Sequence, residues 1–230
     1  MNLGAPAWFN VGDGDLAYHL LRGECLRGGH GLADATRDLS RRLGIGGVEI
    51  LPAGDEPCET HMLLKDGRLL HFQEWYVGER AEPELSEVRM ARGTASKTAI
   101  RAIEGADMAI LGPSNPVTSI GAILALAGIE EALRRVPLRV AVSPVVVGVG
   151  SEDPGVRHHA LARRRTLATV GCADTPGSIA TRYAGLVELF LLDRSDYGHE
   201  EEVCRAGLEP VPADLLDPKS LAEKLGELDR

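Results

Sequence analysis

A short segment rich in glycine, proline and small polar side chains has the residue types best suited to chemistry. It covers residues 111–120 and lies between an apolar stretch that predicts a buried strand and a pattern that predicts a helix. Helix starts carry free amide groups that can bind an anion such as a phosphate. The same residue types are also typical of a rigid strand-to-helix connection with a capped helix, and local chemistry leaves both interpretations open. The positions concerned are Gly112, Ser114, Asn115, Thr118 and Ser119.

Two carboxylates between glycines form a second candidate near the start of the chain. Asp13 and Asp15 are separated by one glycine, and such a pair can hold Mg²⁺ or accept a proton. His19 lies one helical turn beyond Asp15, on the same helical face. The alternative is structural: Asp15 caps a helix that begins at Leu16, Asp13 belongs to a turn, and His19 is a surface residue. Because short Asp/Gly turns are common, the segment taken alone favours this alternative.

Aromatic and basic residues supply weaker candidates. The segment His71–Tyr76 lies on the second strand of a predicted hairpin, and aromatic side chains on a strand can stack on a flat ring, although packing is their more common use. Further along, His158, His159 and the run Arg163–Arg165 could face phosphates. A solvated loop is the alternative for these charged residues.

The composition limits the classes of function. The chain has 230 residues and a formal net charge of −9, and an acidic surface argues against general nucleic-acid binding and against docking on anionic lipid. Its four cysteines show no metal-ligand spacing, which predicts reduced thiols. The first residues lack the features of a signal peptide, and prolines and polar residues interrupt the most apolar stretch, residues 108–129. We therefore predict a cytoplasmic protein that binds neither nucleic acid nor a membrane.

Changes of pattern divide the chain into three regions. Residues 1–47 show two helical patterns separated by glycines. Residues 48–92 predict a small antiparallel layer. In residues 93–230 helices and strands alternate, and this alternation predicts parallel βαβ units, whose ligands bind beyond the carboxyl ends of the strands.

Individual elements within these regions follow from local signals. An apolar run predicts a strand at Val48–Leu51, and Asp66-Gly67 between apolar runs predicts a hairpin. A longer apolar run predicts a strand over Leu138–Val147. Residues 148–178 show no clear pattern.

Four motifs occur in one order along the chain and are more specific together than singly. They are Gly12-Asp13-x-Asp15-Leu16-Ala17-x-His19, Leu51-Pro52-x-x-Asp55-x-Pro57, His71-Phe72-Gln73-Glu74 and, most specific, Ile110-Leu111-Gly112-Pro113-Ser114-Asn115-Pro116-Val117-Thr118-Ser119-Ile120. In this combination the sequence resembles the 2-phospho-L-lactate transferase family, which makes the deazaflavin coenzyme F420. The resemblance implies a Rossmann-like α/β fold, with helices on both faces of a parallel sheet and a small antiparallel insertion.

The resemblance also implies a reaction. A guanosine diphosphate whose terminal phosphate is esterified with lactate or enolpyruvate donates that phosphate together with its acid, as a phospholactyl or phosphoenolpyruvyl group, to a hydroxyl of the deazaflavin FO. GMP leaves, and Mg²⁺ assists. Such a site must position two partners and neutralise the charge that develops during transfer. Members of the family are usually homodimers.

Site residues follow from the same resemblance. It implies that the segment with Gly112, Ser114, Asn115, Thr118 and Ser119 binds the nucleotide. It assigns catalysis on the acceptor side to Asp13, Asp15 and His19, and acceptor binding to Gly12, Asp55 and His71. It assigns no metal ligands in this sequence, because the usual ones are not present.

The sequence also departs from the family pattern. The family's first βα unit, with its Gly-Gly-rich phosphate loop, has no counterpart before Trp8. Gly14 stands where family members have Arg or Lys, and Ser151–Gly155 replaces a basic stretch. The chain is therefore expected to be a fragment or a short relative with reduced activity. Two alternatives are a regulator of the gluconeogenesis-factor type that binds nucleotide sugars, and a non-catalytic subunit.

Overall fold

The computed structural model describes residues 8–9, 11–148 and 152–228. They form a four-stranded parallel sheet flanked by helices and a separate three-stranded antiparallel sheet. This arrangement confirms the predicted α/β class. All four cysteines are free thiols, as their spacing predicts.

Two helices open the described chain: α1 (Asp13–Arg27) and α2 (Leu32–Arg42). Helix α1 begins at Asp13 rather than at Leu16, so the prediction that Asp15 caps it is wrong. Asp15 lies in the first turn instead, where its carboxylate accepts a hydrogen bond from the Gly12 amide at 3.1 Å. An acidic side chain at that position satisfies one of the free amides and also suits the positive end of the helix dipole.

The antiparallel sheet consists of β1 (Thr60–Leu64), β2 (Leu69–His71) and β3 (Leu85–Met90), in the order β2-β1-β3. Its hairpin turns at Gly67, whose φ of +90° favours glycine. After β2 the chain forms a short π-helix, Glu74–Gly78. The predicted strand at Val48–Leu51 is wrong. Val48 is 68% exposed, and the run forms no strand ladder with another segment in the described part of the chain, so its apolar residues gain nothing from an extended conformation.

The remaining chain alternates helices and strands, as predicted. In order these elements are α3 (Lys97–Glu104), β4 (Met108–Leu111), α4 (Ile120–Leu124), α5 (Ile129–Leu133), β5 (Leu138–Val142), α6 (Pro154–Ala168), α7 (Pro176–Ala180), β6 (Leu189–Asp193), α8 (Glu200–Arg205), β7 (Glu209–Ala213) and α9 (Pro218–Leu228). The four strands are parallel and adjacent in chain order, β4-β5-β6-β7. Two short 3₁₀ turns, Thr181–Tyr183 and Arg194–His199, complete the connections.

Alternate residues of the central strands pack on opposite faces of the parallel sheet. Val140 and Val142 of β5 join a cluster that includes Leu221 of α9. Ala141 between them joins a second cluster that includes Ile179 of α7. Because successive strand side chains point to opposite faces, these two clusters place helices on both sides of the sheet, as the resemblance implies.

The region without a clear sequence pattern contains helix α6. The Asp153 carboxylate caps it by accepting hydrogen bonds from the amides of the following residues. Its sequence is rich in arginine and histidine, which hides the apolar periodicity. Ala162 packs into the core of the antiparallel sheet and Leu167 into that of the parallel sheet, so α6 joins the two. β5 ends at Val142 rather than at Val147, because Pro144 has no amide to extend the ladder.

The carboxylate of Asp193, at the end of β6, predicts an acid-dependent stability. Burial acts to raise its pKa, but hydrogen bonds from the Ser195 hydroxyl and amide and from the Leu215 amide lower the pKa below its ordinary value. A lowered pKa contributes stability above the unfolded-state value of about 4, and this contribution is lost as pH falls through the folded-state value. We therefore expect Asp193→Asn to be less stable at neutral pH and to lose less stability on acidification.

Urea unfolding at a series of pH values tests this expectation. Asp107→Asn is a matched control, because Asp107 is exposed and the carboxylate has no hydrogen bond within the described chain. If Asp193→Asn and the wild-type protein lose unfolding free energy equally on acidification, the pKa of Asp193 is not lowered in the folded state.

Candidate active site

A cavity of about 420 Å³ lies beyond the carboxyl ends of β4 and β5. Four segments line it: the turn after β4, the turn after β5, the π-helix region of the antiparallel sheet, and one side of α6. The lining residues are Phe72, Tyr76, Pro113, Ser114, Asn115, Thr118, Ser119, Pro144, His159, Ala162 and Arg163. The position agrees with the general rule that open parallel sheets bind ligands at this edge.

Asn115 holds the turn after β4 in one shape. Its side-chain oxygen accepts hydrogen bonds from the amides of Val117 and Thr118, at 2.9 and 3.2 Å. Its side-chain nitrogen donates to the Thr166 hydroxyl of α6 at 3.0 Å. The side chain of Asn115 therefore fastens the turn both to itself and to the neighbouring helix.

The backbone amides of the turn have partners within it. Besides Val117 and Thr118, the amides of Ser119 and Ile120 donate to the Asn115 carbonyl, at 3.1 and 3.0 Å. The expectation that free amides at the helix start bind an anion is therefore wrong for these positions. What the turn offers to a ligand is side-chain hydroxyl groups, those of Ser114, Thr118 and Ser119.

Arg163 brings a positive charge to the α6 side of the cavity. Its Nε and Nη2 donate to the two carboxylate oxygens of Asp174, at 2.6 and 3.1 Å, and its Nη1 donates to the Pro144 carbonyl at 3.0 Å. The side chains of Arg163 and Asp174 are only 18% and 16% exposed. A partly buried bidentate pair of this kind fixes the plane of the guanidinium.

Aromatic rings form the third side of the cavity. The Tyr76 ring stacks on Phe72, with centroids 5.3 Å apart, and on His158, with centroids 4.3 Å apart. Burial raises the pKa of the Tyr76 hydroxyl, which lies 2.6 Å from Nδ1 of His159. Trp75 beside it is fully buried and anchors the π-helix by donating to the Pro83 carbonyl at 3.1 Å. Such π-turns occur frequently at functional sites.

Comparison with known proteins identifies the family. The family model described as 2-phospho-L-lactate transferase CofD matches residues 6–224. The chain belongs to the 2-phospho-L-lactate transferase family. This membership confirms the resemblance seen in the sequence and places the chain among transferases.

Curated relatives are considerably longer than this chain. A phosphoenolpyruvate transferase of Mycobacterium marinum is 37% identical over 233 residues, which cover 95% of this chain and 67% of the relative. A phosphoenolpyruvate transferase of Nocardia farcinica is 36% identical over 236 residues, which cover 96% of this chain and 68% of the relative. The chain thus spans about two thirds of the length of these transferases.

Solved structures share the fold. A crystal structure of a protein from Bacillus halodurans superposes with a TM-score of 0.58 at 18% identity, covering 96% of this chain and 75% of that one. A second Bacillus halodurans crystal structure, described as a member of the upf0052 family, gives a TM-score of 0.56 at 17% identity. The superposition covers 91% of this chain and 70% of that one. At these identities the similarity establishes the fold.

The cavity brings together four of the side chains that the transferase resemblance implies for the nucleotide: Ser114, Asn115, Thr118 and Ser119. Gly112 lies just before them, at the end of β4. Other implied residues do not line this cavity. Gly12, Asp13, Asp15 and His19 are exposed at the start of α1, and Asp55 and His71 are exposed on the antiparallel side. Their roles on the acceptor side remain predictions.

Three further cavity residues, Tyr76, His159 and Arg163, belong to the weaker candidates that the sequence indicates. His159 and Arg163 lie on one face of α6, one helical turn apart. The sequence predicts that they could face phosphates but not that they share a helical face, because it does not reveal the helix. The Tyr76 ring packs against Phe72 and His158, and the Tyr76 side chain also lines the cavity.

The described ranges show neither a metal cluster nor a membrane span. They contain no group of three or more His, Cys, Asp or Glu side chains that could hold a metal ion. No helix within them combines the length and apolar composition that crossing a membrane requires.

Proposed function

We propose that this chain transfers a phosphoenolpyruvyl or phospholactyl group to the deazaflavin FO in coenzyme F420 biosynthesis. The donor is the corresponding guanosine diphosphate derivative, and GMP is released. Membership of the 2-phospho-L-lactate transferase family supports this proposal. Relatives named phosphoenolpyruvate transferase favour the phosphoenolpyruvyl group.

The observation that carries the proposal is the composition of the cavity beyond β4 and β5. Its described lining combines the Ser114, Thr118 and Ser119 hydroxyls with the Arg163 guanidinium and contains no carboxylate. Hydroxyl and guanidinium groups donate hydrogen bonds to phosphate oxygens, and no negative side chain in the lining repels them. The cavity is therefore suited to a phosphorylated ligand.

These groups can contribute to the transfer by position and charge. The acceptor oxygen forms a new bond to the transferred phosphorus, the bond to the GMP oxygen breaks, and the acceptor hydroxyl loses its proton. Such transfers depend chiefly on alignment and on charge stabilisation by fixed donors. Arg163, held by Asp174, supplies a fixed donor, and we propose that Asp13, Asp15 or His19 accepts the proton.

Mg²⁺, a homodimer and a cytoplasmic location also remain proposals for this chain. The described residues do not provide a set of Mg²⁺ ligands, because no three metal-binding side chains converge and the described cavity lining lacks carboxylates. Acceptor binding by Gly12, Asp55 and His71 belongs to the same proposal.

Titration calorimetry with GDP and GMP tests the nucleotide site. We expect GDP to bind about 10-fold more tightly than GMP, because its second phosphate adds at least one charge-assisted hydrogen bond. Mass spectrometry then measures conversion of FO by the phosphoenolpyruvyl and phospholactyl donors. Equal affinity for GDP and GMP would contradict a diphosphate site. Tight GDP binding without conversion of FO would instead favour a regulator or a non-catalytic subunit.

A further inference from the structure

Two side chains on α6 are oriented toward the cavity before any ligand arrives. His159 and Arg163 both line it and lie one helical turn apart. Each is held from another segment of the chain: Arg163 by Asp174 and the Pro144 carbonyl, His159 by the Tyr76 hydroxyl. A group whose rotamer is already fixed loses less entropy when it binds a ligand.

Arg163 retains unused donors in this arrangement. Asp174 takes the Nε proton and one Nη2 proton, and Pro144 takes one Nη1 proton. One N–H remains on Nη1 and one on Nη2, because each of these nitrogens carries a pair of protons. Two neighbouring N–H groups on a planar guanidinium match the two oxygens of a phosphate or a carboxylate.

His159 can add a donor beside them. Burial raises the pKa of Tyr76, so its hydroxyl keeps its proton and can donate it to Nδ1 of His159, 2.6 Å away. A neutral imidazole that accepts at Nδ1 carries its own proton on Nε2. Within the described chain Nε2 has no hydrogen-bonding partner, so this N–H is available to a ligand.

We propose that His159 and Arg163 form an oxyanion subsite that holds an acidic group of the donor. The group is either the terminal phosphate of the donor, which is the phosphate transferred, or the carboxylate of the acid esterified to that phosphate. This inference deepens the proposed function and rests on it. The subsite and the hydroxyl groups of the 111–120 turn bind the donor from two sides. Contacts on two sides hold the donor in one orientation, and the transfer requires such an alignment.

Inorganic phosphate, phosphoenolpyruvate, GDP and GMP serve as probes in titration calorimetry. His159→Leu, which removes the donor at similar side-chain volume, is compared with the wild-type protein and with His30→Leu, a matched change at an exposed histidine outside the cavity. We expect His159→Leu to weaken binding of at least one probe about 10-fold, which corresponds to the loss of one charge-assisted hydrogen bond. His30→Leu should bind every probe as the wild type does.

The probes distinguish the sources of the oxyanion. If GDP affinity falls and GMP affinity does not, the subsite holds the terminal phosphate of the donor. If only phosphoenolpyruvate affinity falls, it holds the carboxylate of the acid. Unchanged affinity of His159→Leu for all four probes would overturn the proposal.

Nitrogen NMR of the histidine rings provides a readout that needs no turnover. We expect the proton of His159 to lie on Nε2 in the wild-type protein, its signal to shift on addition of inorganic phosphate, and Tyr76→Phe to remove the preference for that tautomer. A proton on Nδ1 would overturn the proposal. If phosphate binding depends on His159 but FO is not converted, the subsite stands and the proposed function fails. If FO is converted equally by His159→Leu, the subsite fails and the function stands.

Discussion

Asn115→Ala should lower the free energy of unfolding by about 3 kcal/mol and remove measurable GDP binding. The substitution deletes the hydrogen bonds to the amides of Val117 and Thr118 and the bond to the Thr166 hydroxyl. Each bond contributes about 0.5–1.5 kcal/mol, and partly buried donors left unpaired add to the loss. The turn then no longer presents its hydroxyl groups in one arrangement. Urea denaturation and GDP titration calorimetry measure the two effects.

Two further variants distinguish the effect of Asn115 on the conformation of the turn from the effect of the turn's polar groups on GDP binding. Asn115→Asp keeps the oxygen that accepts from the two amides and adds a negative charge at the cavity, so we expect near-normal stability with greatly weakened GDP binding. Ser114→Ala removes only an exposed hydroxyl and should leave the stability unchanged. If Asn115→Ala folds stably and binds GDP as the wild type does, the turn does not depend on Asn115 and a nucleotide role for it loses its support.

Asp174→Ala should destabilise the protein by about 3 kcal/mol, because it leaves the mostly buried guanidinium of Arg163 without its counter-charge. The effect should extend to the cavity, because Arg163 loses the partner that fixes its plane. We therefore expect GDP affinity to fall together with stability. Thermal and urea unfolding measure the first effect, and calorimetry at a temperature well below unfolding measures the second.

A surface ion pair provides the control for Asp174→Ala. Asp34 pairs with Arg37 on α2, and these two side chains are 63% and 44% exposed. Because exposed pairs contribute little, Asp34→Ala should change stability by less than about 1 kcal/mol and leave GDP binding unaltered. The double variant Arg163→Met with Asp174→Leu should recover part of the lost stability but not the GDP affinity. Similar losses in Asp34→Ala and Asp174→Ala would show that burial of the pair has no energetic consequence.

Elements with strong local signals were predictable from the sequence. The hairpin at Asp66-Gly67 follows from a turn that needs a positive φ, and β4 follows from a short apolar run that ends at Gly112-Pro113. The run at Val48–Leu51 has the same apolar character but gains no partner strand, so the same kind of signal fails there. Apolar character predicts that a segment seeks burial, and pairing decides whether it becomes a strand.

The candidate site also has one part that local sequence signals predict and another that depends on tertiary contacts. The polar turn at 112–119 was predictable, because its residue types and its place after a strand are both local properties. The role of Asn115 was not, because its side chain binds the backbone of its own turn and a helix distant in sequence. The amides of residues 117–120, expected to bind an anion, donate instead to the side chain and carbonyl of Asn115, and only the tertiary structure shows this.

The sequence by itself determined the family, the parallel βαβ region and the turn that lines the cavity, because these depend on motifs and on periodicities that act over a few residues. Tertiary structure alone decided that α6 bridges the two sheets and brings Arg163 and His159 to that turn. The reason is physical: α6 buries small and apolar residues on two different cores, while its charged residues conceal the pattern in the linear chain. Pairings such as Arg163 with Asp174 and Tyr76 with His159 arise only when those cores form.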